Sequence, residues 1–224
     1  MIPSNKLNES YNRIEHHIQD YRDSHDPGLS AGTQVLAEII TITNTNDSGP
    51  GSLRNALAIA TDGDEITFAV TGTIGLTSGE LPVNHSISIS GPGAVNLAVN
   101  GNAKSRVFHI SSGTTVTISG LTITNGNANG QSYPDDSGGG VYNDHANGTL
   151  SNCTITNNQA VTFGGGIYND HSSLTLDGCA VSGNFSDNTG GGIYNDGDSV
   201  MTVTASSLFS NTGVSIFSTA ARCR

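Results

Sequence analysis

Tryptophan is absent from this chain, cysteine occurs three times, and only eight lysines and arginines stand against 19 aspartates and glutamates. None of the eight lies between Val107 and Ala221. The formal charge of −11 argues against nucleic acids and other polyphosphates as partners, because these require a basic surface. Three cysteines cannot build a disulfide framework. No apolar run approaches the roughly 20 residues needed to cross a bilayer, so no membrane-spanning segment is expected. A basic stretch followed by an apolar one, the pattern of a secretory signal, is not visible either.

An apolar fraction of 34% with 29 glycines would signal disorder in an ordinary globular chain. These glycines, however, recur in register. Gly-Gly-Gly-(Val/Ile)-Tyr-Asn-Asp occupies residues 138–144, 164–170 and 190–196, a step of 26 residues each time. The following segments repeat as well: Leu150 falls on Leu176, Cys153 on Cys179, Ile155 on Val181 and Asn158 on Asn184. With one added residue the third copy continues through Ser206, Leu208 and Asn211, and a worn fourth begins at residues 213–218, with Ile216 and Phe217 in the Ile-Tyr places. A fixed period of this length marks stacked units, each touching only its neighbours. Such a solenoid buries one side of each strand and turns its corners on glycine, which accounts for the composition.

Inside a period there is no helical pattern. Short alternating runs place Ile167, Asn169, Leu174, Leu176, Cys179 and Val181 on one side and Tyr168, Thr175 and Ala180 on the other. Glycine, asparagine and aspartate separate the runs, which is turn chemistry. Three short strands and three corners per period describe one coil of a parallel β-helix, with coils about 4.8 Å apart. A leucine-rich horseshoe needs a helix or a longer leucine consensus in each unit, and an antiparallel barrel or sandwich has no reason to hold a constant period.

With these repeats the chain resembles bacterial right-handed parallel β-helix proteins of the pectate-lyase-like superfamily. It is most similar to repeat-rich surface and secreted proteins such as polymorphic outer-membrane-protein passengers and adhesins. Their Gly-Gly-Ala-Ile motif appears here as Gly-Gly-Gly-Ile-Tyr, and their Phe-x-x-Asn motif as Phe185-Ser-Asp-Asn188. Residues 41–57 also resemble the usual entry to such β-helices. The resemblance spans about residues 39–218. It implies an all-β, right-handed parallel β-helix and an extracellular or cell-surface location, on a fold that serves lyases, hydrolases, adhesins and inert scaffolds alike.

Taken in order, residues 1–38 form a leader outside the repeat. Leu7, Tyr11, Ile14, Ile18 and Tyr21 mark the seam of a short amphipathic helix beside His16, His17 and His25. Residues 52–61 read as a capping helix: Ser52 suits the N-cap, and Leu53, Ala56, Leu57 and Ala60 share a face that can cover the first coil. Irregular strands follow at 65–70, 72–76, 86–89, 95–99 and 106–110, and regular coils begin near residue 113. Residues 127–137 are an insertion before the first glycine motif, where solenoids often carry functional loops. Residues 219–224 carry no capping pattern and read as a truncated tail. Further coils or a partner are therefore expected to cover that end.

Three chemistries deserve comparison. A calcium-assisted β-elimination needs acids, for which Asp144, Asp170 and Asp196 qualify, and a base, which the regular coils lack altogether, Lys104 and Arg106 lying at least a coil away. A glycoside hydrolase needs paired carboxylates, which Asp135-Asp136 or the stacked aspartates supply without the accompanying elements of that class. Metal binding without catalysis is the third. Stacked carboxylates at Asp144, Asp170 and Asp196 repel, and Ca2+ would relieve that, unless they simply point into water.

Asn143, Asn169 and Asn195 read as a structural ladder, and Cys153 with Cys179 as buried stacked thiols, since parallel side chains make a poor disulfide. Tyr142, Tyr168 and Tyr194 form an outward aromatic stripe, expected to be exposed and near-parallel, suited either to binding or to shielding their own strands. These features lead to an expectation of a non-catalytic, adhesin-like scaffold binding a polysaccharide or protein through this face, with a carbohydrate-active enzyme as the alternative.

Overall fold

The computed structural model describes residues 36–213 and 216–218. The amphipathic segment at 7–21, its three histidines, Cys223 and the tail at 219–224 lie outside the described residues.

The chain winds into an all-parallel β-solenoid of about seven turns. A middle coil runs through Val141–Asp144, Asn147–Ser151, Thr154–Thr156 and Gln159–Ala160. Each strand pairs with its equivalent in the next coil: Val141 with Ile167, Leu150 with Leu176, Ile155 with Val181 and Ala160 with Ser186. Stacking the coils produces one seven-stranded, two six-stranded and one three-stranded sheet. The expected unit had three strands, and the structure adds a fourth. At two residues, strands such as Phe185–Ser186 are too short to show alternation in sequence.

The inward residues form aliphatic ladders. Ile66, Ile89, Ile118, Leu150 and Leu176 follow one another on one wall, and Val99, Ile123, Ile155 and Val181 on another, all buried. Val141, Ile167 and Ile193 stack on the third wall, and Ile193 is in register with Ile216. Cys153 and Cys179 are free, buried thiols in neighbouring coils, as the repeat implies.

The triple-glycine motif has a steric cause. Gly164 turns the chain with φ +61°. At Gly165 a Cβ would lie 2.0 Å from the Phe185 carbonyl oxygen of the next coil, so only glycine lets the two backbones meet.

Helix α1 (Leu53–Ile59) starts at Ser52, whose Oγ accepts from the Asn55 amide at 3.2 Å. Its Leu53, Ala56 and Leu57 are buried in the same core as Ile42 and Ile66. The irregular early strands fall close to their expected places. Leu81–Val83 was missed because Pro82 interrupts its pattern; it is the end strand of its sheet, where a proline is tolerated.

Candidate functional site

The site is built on the six-stranded sheet that holds Val141–Asp144, Ile167–Asp170 and Ile193–Asn195. Alternation turns Val141 and Asn143 inward and Tyr142 outward, and the 26-residue register aligns Tyr142, Tyr168 and Tyr194. The stripe therefore exists, but it is not an open surface. Tyr142 and Tyr168 are only 2% and 4% exposed, and Tyr194 is partly exposed. Nor are the rings evenly parallel: Tyr142 stacks on Tyr168 at 24°, whereas Tyr168 meets Tyr194 at 62°.

Two residues that the repeat does not contain cover the stripe. Phe163 stacks on Tyr194 with ring centroids 4.3 Å apart, and Tyr133, from the insertion at 127–137, meets Tyr168 edge-on at 6.3 Å. The insertion is strapped over the face by Arg106, which is itself 4% exposed. Its Nη1 donates to the Pro134 and Ser137 carbonyls at 3.1 and 3.0 Å, Nη2 to Asp135 at 3.1 Å, and Nε to Glu80. The guanidinium also lies 4.9 Å from the Tyr142 ring centroid. On the far side of the strap, Asp136 accepts from the Thr162 amide and hydroxyl at 2.9 and 2.7 Å.

Beneath the strap lies Asp170, a fully buried carboxylate. Burial pushes its pKa up, but hydrogen bonds from Tyr133, from Tyr142 at 2.7 Å and with His171 at 2.7 Å outweigh burial and hold it below the ordinary carboxylate range. The same burial, together with this carboxylate, raises the Tyr142 phenol, which keeps its proton and donates. Asp170 is thus not a corner residue pointing into water.

The three aspartates expected to act together stand in two environments. Asp144 and Asp196 are partly buried, and Asp170 is enclosed. Each of the first two coils pairs its aspartate with the histidine that follows: His145 Nδ1 lies 2.6 Å from Asp144, and His171 Nδ1 lies 2.7 Å from Asp170 and 3.0 Å from Asp196. The two imidazoles stack 5.0 Å apart at 6°. Donor atoms of Asp144, His145 and Asp170 lie within 4.8 Å of one another, as do those of Asp170, His171 and Asp196. One coil earlier, His109 occupies the Tyr142 column, with Nδ1 3.1 Å from Glu80 and Nε2 3.6 Å from Asp144.

Sequence reasoning missed Phe163, Arg106, Glu80 and His109 as parts of this site, and marked Tyr133 only through the insertion that holds it. All five lie outside the repeated motif, and only the fold brings them to it; two carried a signal, Tyr133 by its place in the 127–137 insertion and Arg106 as the last basic residue before a long stretch with none. Comparison with protein-family models, with curated proteins and with solved structures finds no match to this chain.

Proposed function

We propose that the protein is a non-catalytic, adhesin-like scaffold, secreted or at the cell surface, that binds a polysaccharide or another protein along the outer face of its tyrosine sheet. The observation that carries this reading is the ridge of rings on that face. Tyr133 is 52% exposed at its crest, Phe163 and Tyr194 are partly exposed beside it, and half-exposed His145 and His171 border it. Aromatic edges rimmed by carboxylates suit sugar hydroxyls and polar protein surfaces. The ligand meets the strap and the ridge, while buried Tyr142 and Tyr168 support them from below.

Two of the groups that catalysis could draw on are held in structural contacts. Arg106, the cation nearest the glycine coils, is buried between Glu80 and Asp135 and has no free lone pair to act as a base. Asp170 is saturated by two phenols and an imidazole. Two finer features belong to the same proposal: a right-handed coil of the pectate-lyase-like kind, and helix α1 covering the first coil.

A panel of neutral and acidic polysaccharides, assayed for binding and for cleavage with and without calcium, tests the reading. Retention without turnover, lost in Tyr133→Ser, is expected. Unsaturated uronate or reducing-end product would replace it with a carbohydrate-active enzyme.

A further inference from the structure

We propose that the occupant of the aromatic ridge is a protein segment that presents arginine side chains, an inference that rests on the binding reading above and narrows it. Between Val107 and Ala221 the chain carries eight aspartates and neither lysine nor arginine. The fold gathers most of that charge on one face. Asp144, Asp170 and Asp196 close the tyrosine strands, the strap adds Asp135, and Glu80 and Asp198 stand beside them. Among the described residues these six carboxylates meet one guanidinium, that of Arg106, and three imidazoles, those of His109, His145 and His171. The face therefore stays negative even with every imidazole protonated.

Charge and rings select the same kind of partner. A negative face repels an acidic polysaccharide and offers a neutral one nothing through its charge, whereas a cation is drawn both by the carboxylates and by the aromatic faces. Arg106 shows the fit from beneath. Its guanidinium pairs with Glu80 and Asp135 and lies 4.9 Å from the Tyr142 ring centroid. The solvent side offers the same two elements. Tyr133 is 52% exposed, Phe163 and Tyr194 are partly exposed, and the Asp135 and Asp198 side chains are 75% and 85% exposed.

A planar guanidinium stacks on a ring and forks onto a carboxylate, which a compact ammonium does not do. The charges also stand apart. Asp135 precedes one tyrosine strand, beside Arg106, and Asp198 follows another, beside His171. Because the strands are parallel, these carboxylates lie toward opposite ends of the face. A four-residue strand such as Ile167–Asp170 spans about 13 Å. One small cation cannot serve both ends, whereas several arginines on one extended segment can.

Fluorescence anisotropy of a labelled peptide of alternating arginine and serine, titrated with the full chain, tests this. The lysine counterpart and a deacetylated amino-sugar polymer serve as comparisons. The arginine peptide should bind at least about threefold tighter than the lysine one and lose about threefold or more in Tyr133→Ser. It should lose about twofold or more in Asp198→Asn, and weaken as salt is raised. Asp177→Asn, which removes the same charge from the seven-stranded sheet, should stay within about 1.5-fold of the parent. Circular dichroism should show the variants folded, and exposed Asp198 keeps the test decisive if Tyr133→Ser does not fold. No binding of the arginine peptide overturns the inference, as does equal binding of the lysine peptide or tighter binding of the amino-sugar polymer. So does an equal loss in Asp177→Asn, which would be general attraction to an acidic chain. The ridge reading fails separately, only when no polysaccharide or peptide loses binding in Tyr133→Ser.

Discussion

Asn143 donates its side-chain amide to the Asn169 side-chain oxygen at 2.8 Å, while its own oxygen, fully buried, has no partner. The preceding coil places Ile110 at that position, so the ladder starts at Asn143 with an unanswered acceptor. Asn169 then repeats the bond to Asn195 at 2.7 Å, and a second ladder runs through Asn158, Asn184 and Asn211 on the other side of the coil. Each asparagine also donates to backbone carbonyls at the corner, as Asn169 does to those of Ser172 and Val200.

Interrupting the ladder in its middle should therefore cost more than removing its end. Asn169→Ala orphans groups on both sides and is expected to lose about 2–4 kcal/mol, at roughly 1–3 kcal/mol for each stranded buried group. Asn143→Ala removes an already unsatisfied oxygen and should cost clearly less. Urea unfolding of the two variants decides the order, and equal losses would mean that the ladder contributes no directional bonding.

The tyrosines should now behave as packing residues in proportion to their burial. Tyr168→Ala is expected to cost about 3–5 kcal/mol, as for other buried aromatics, and Tyr142→Phe about 1.5–3 kcal/mol for the hydrogen bond to the Asp170 carboxylate. Tyr194→Ala, partly exposed, should cost less than either. A Tyr168→Ala variant as stable as the parent would restore the open stripe.

The strap depends on Arg106. In Arg106→Met, the Pro134 and Ser137 carbonyls lose this donor and Glu80 keeps only His109; because Glu80 is partly exposed, the loss should fall below the roughly 3–5 kcal/mol of a fully buried pair. Limited proteolysis should cut this variant within residues 129–137 while leaving the parent intact. An equally resistant variant would show that Asp136 and Thr162 hold the strap without the arginine.

Acid should loosen the N-terminal coils through Asp47 and Asp64. Asp64 is held below the ordinary range by the Glu38 and Thr61 amides. Burial pushes Asp47 up, but hydrogen bonds from Ser78, Arg54 and Thr77 bring it well below that range. For a carboxylate lowered by folding, the stabilisation is present above its unfolded value, about pH 4, and fades as pH falls through the folded value. Urea midpoints should drop below about pH 4, and an Asp47→Asn, Asp64→Asn double variant should be weaker at pH 7 and flatter with pH. Parallel curves for the double variant and the parent would exclude these two groups.

The sequence by itself determined the solenoid. Its 26-residue period, the inward alternation of Ile167, Leu174, Leu176 and Val181, the asparagine column and the Ser52 cap are local or periodic facts. Stacking identical units converts such facts directly into register. The outward side chains were less legible, because alternation says only that Tyr142 and Tyr168 leave the core and not what covers them. That depended on Phe163, on Tyr133 in an insertion and on Arg106 from an earlier coil, residues 29 or more positions from the groups they meet in the cases of Arg106 with Asp135 and Tyr133 with Asp170. The same holds at the edge of this sheet. His109 reaches Asp144 only because one coil of the solenoid is laid on the next, and its other ring nitrogen meets Glu80, which the repeat does not contain.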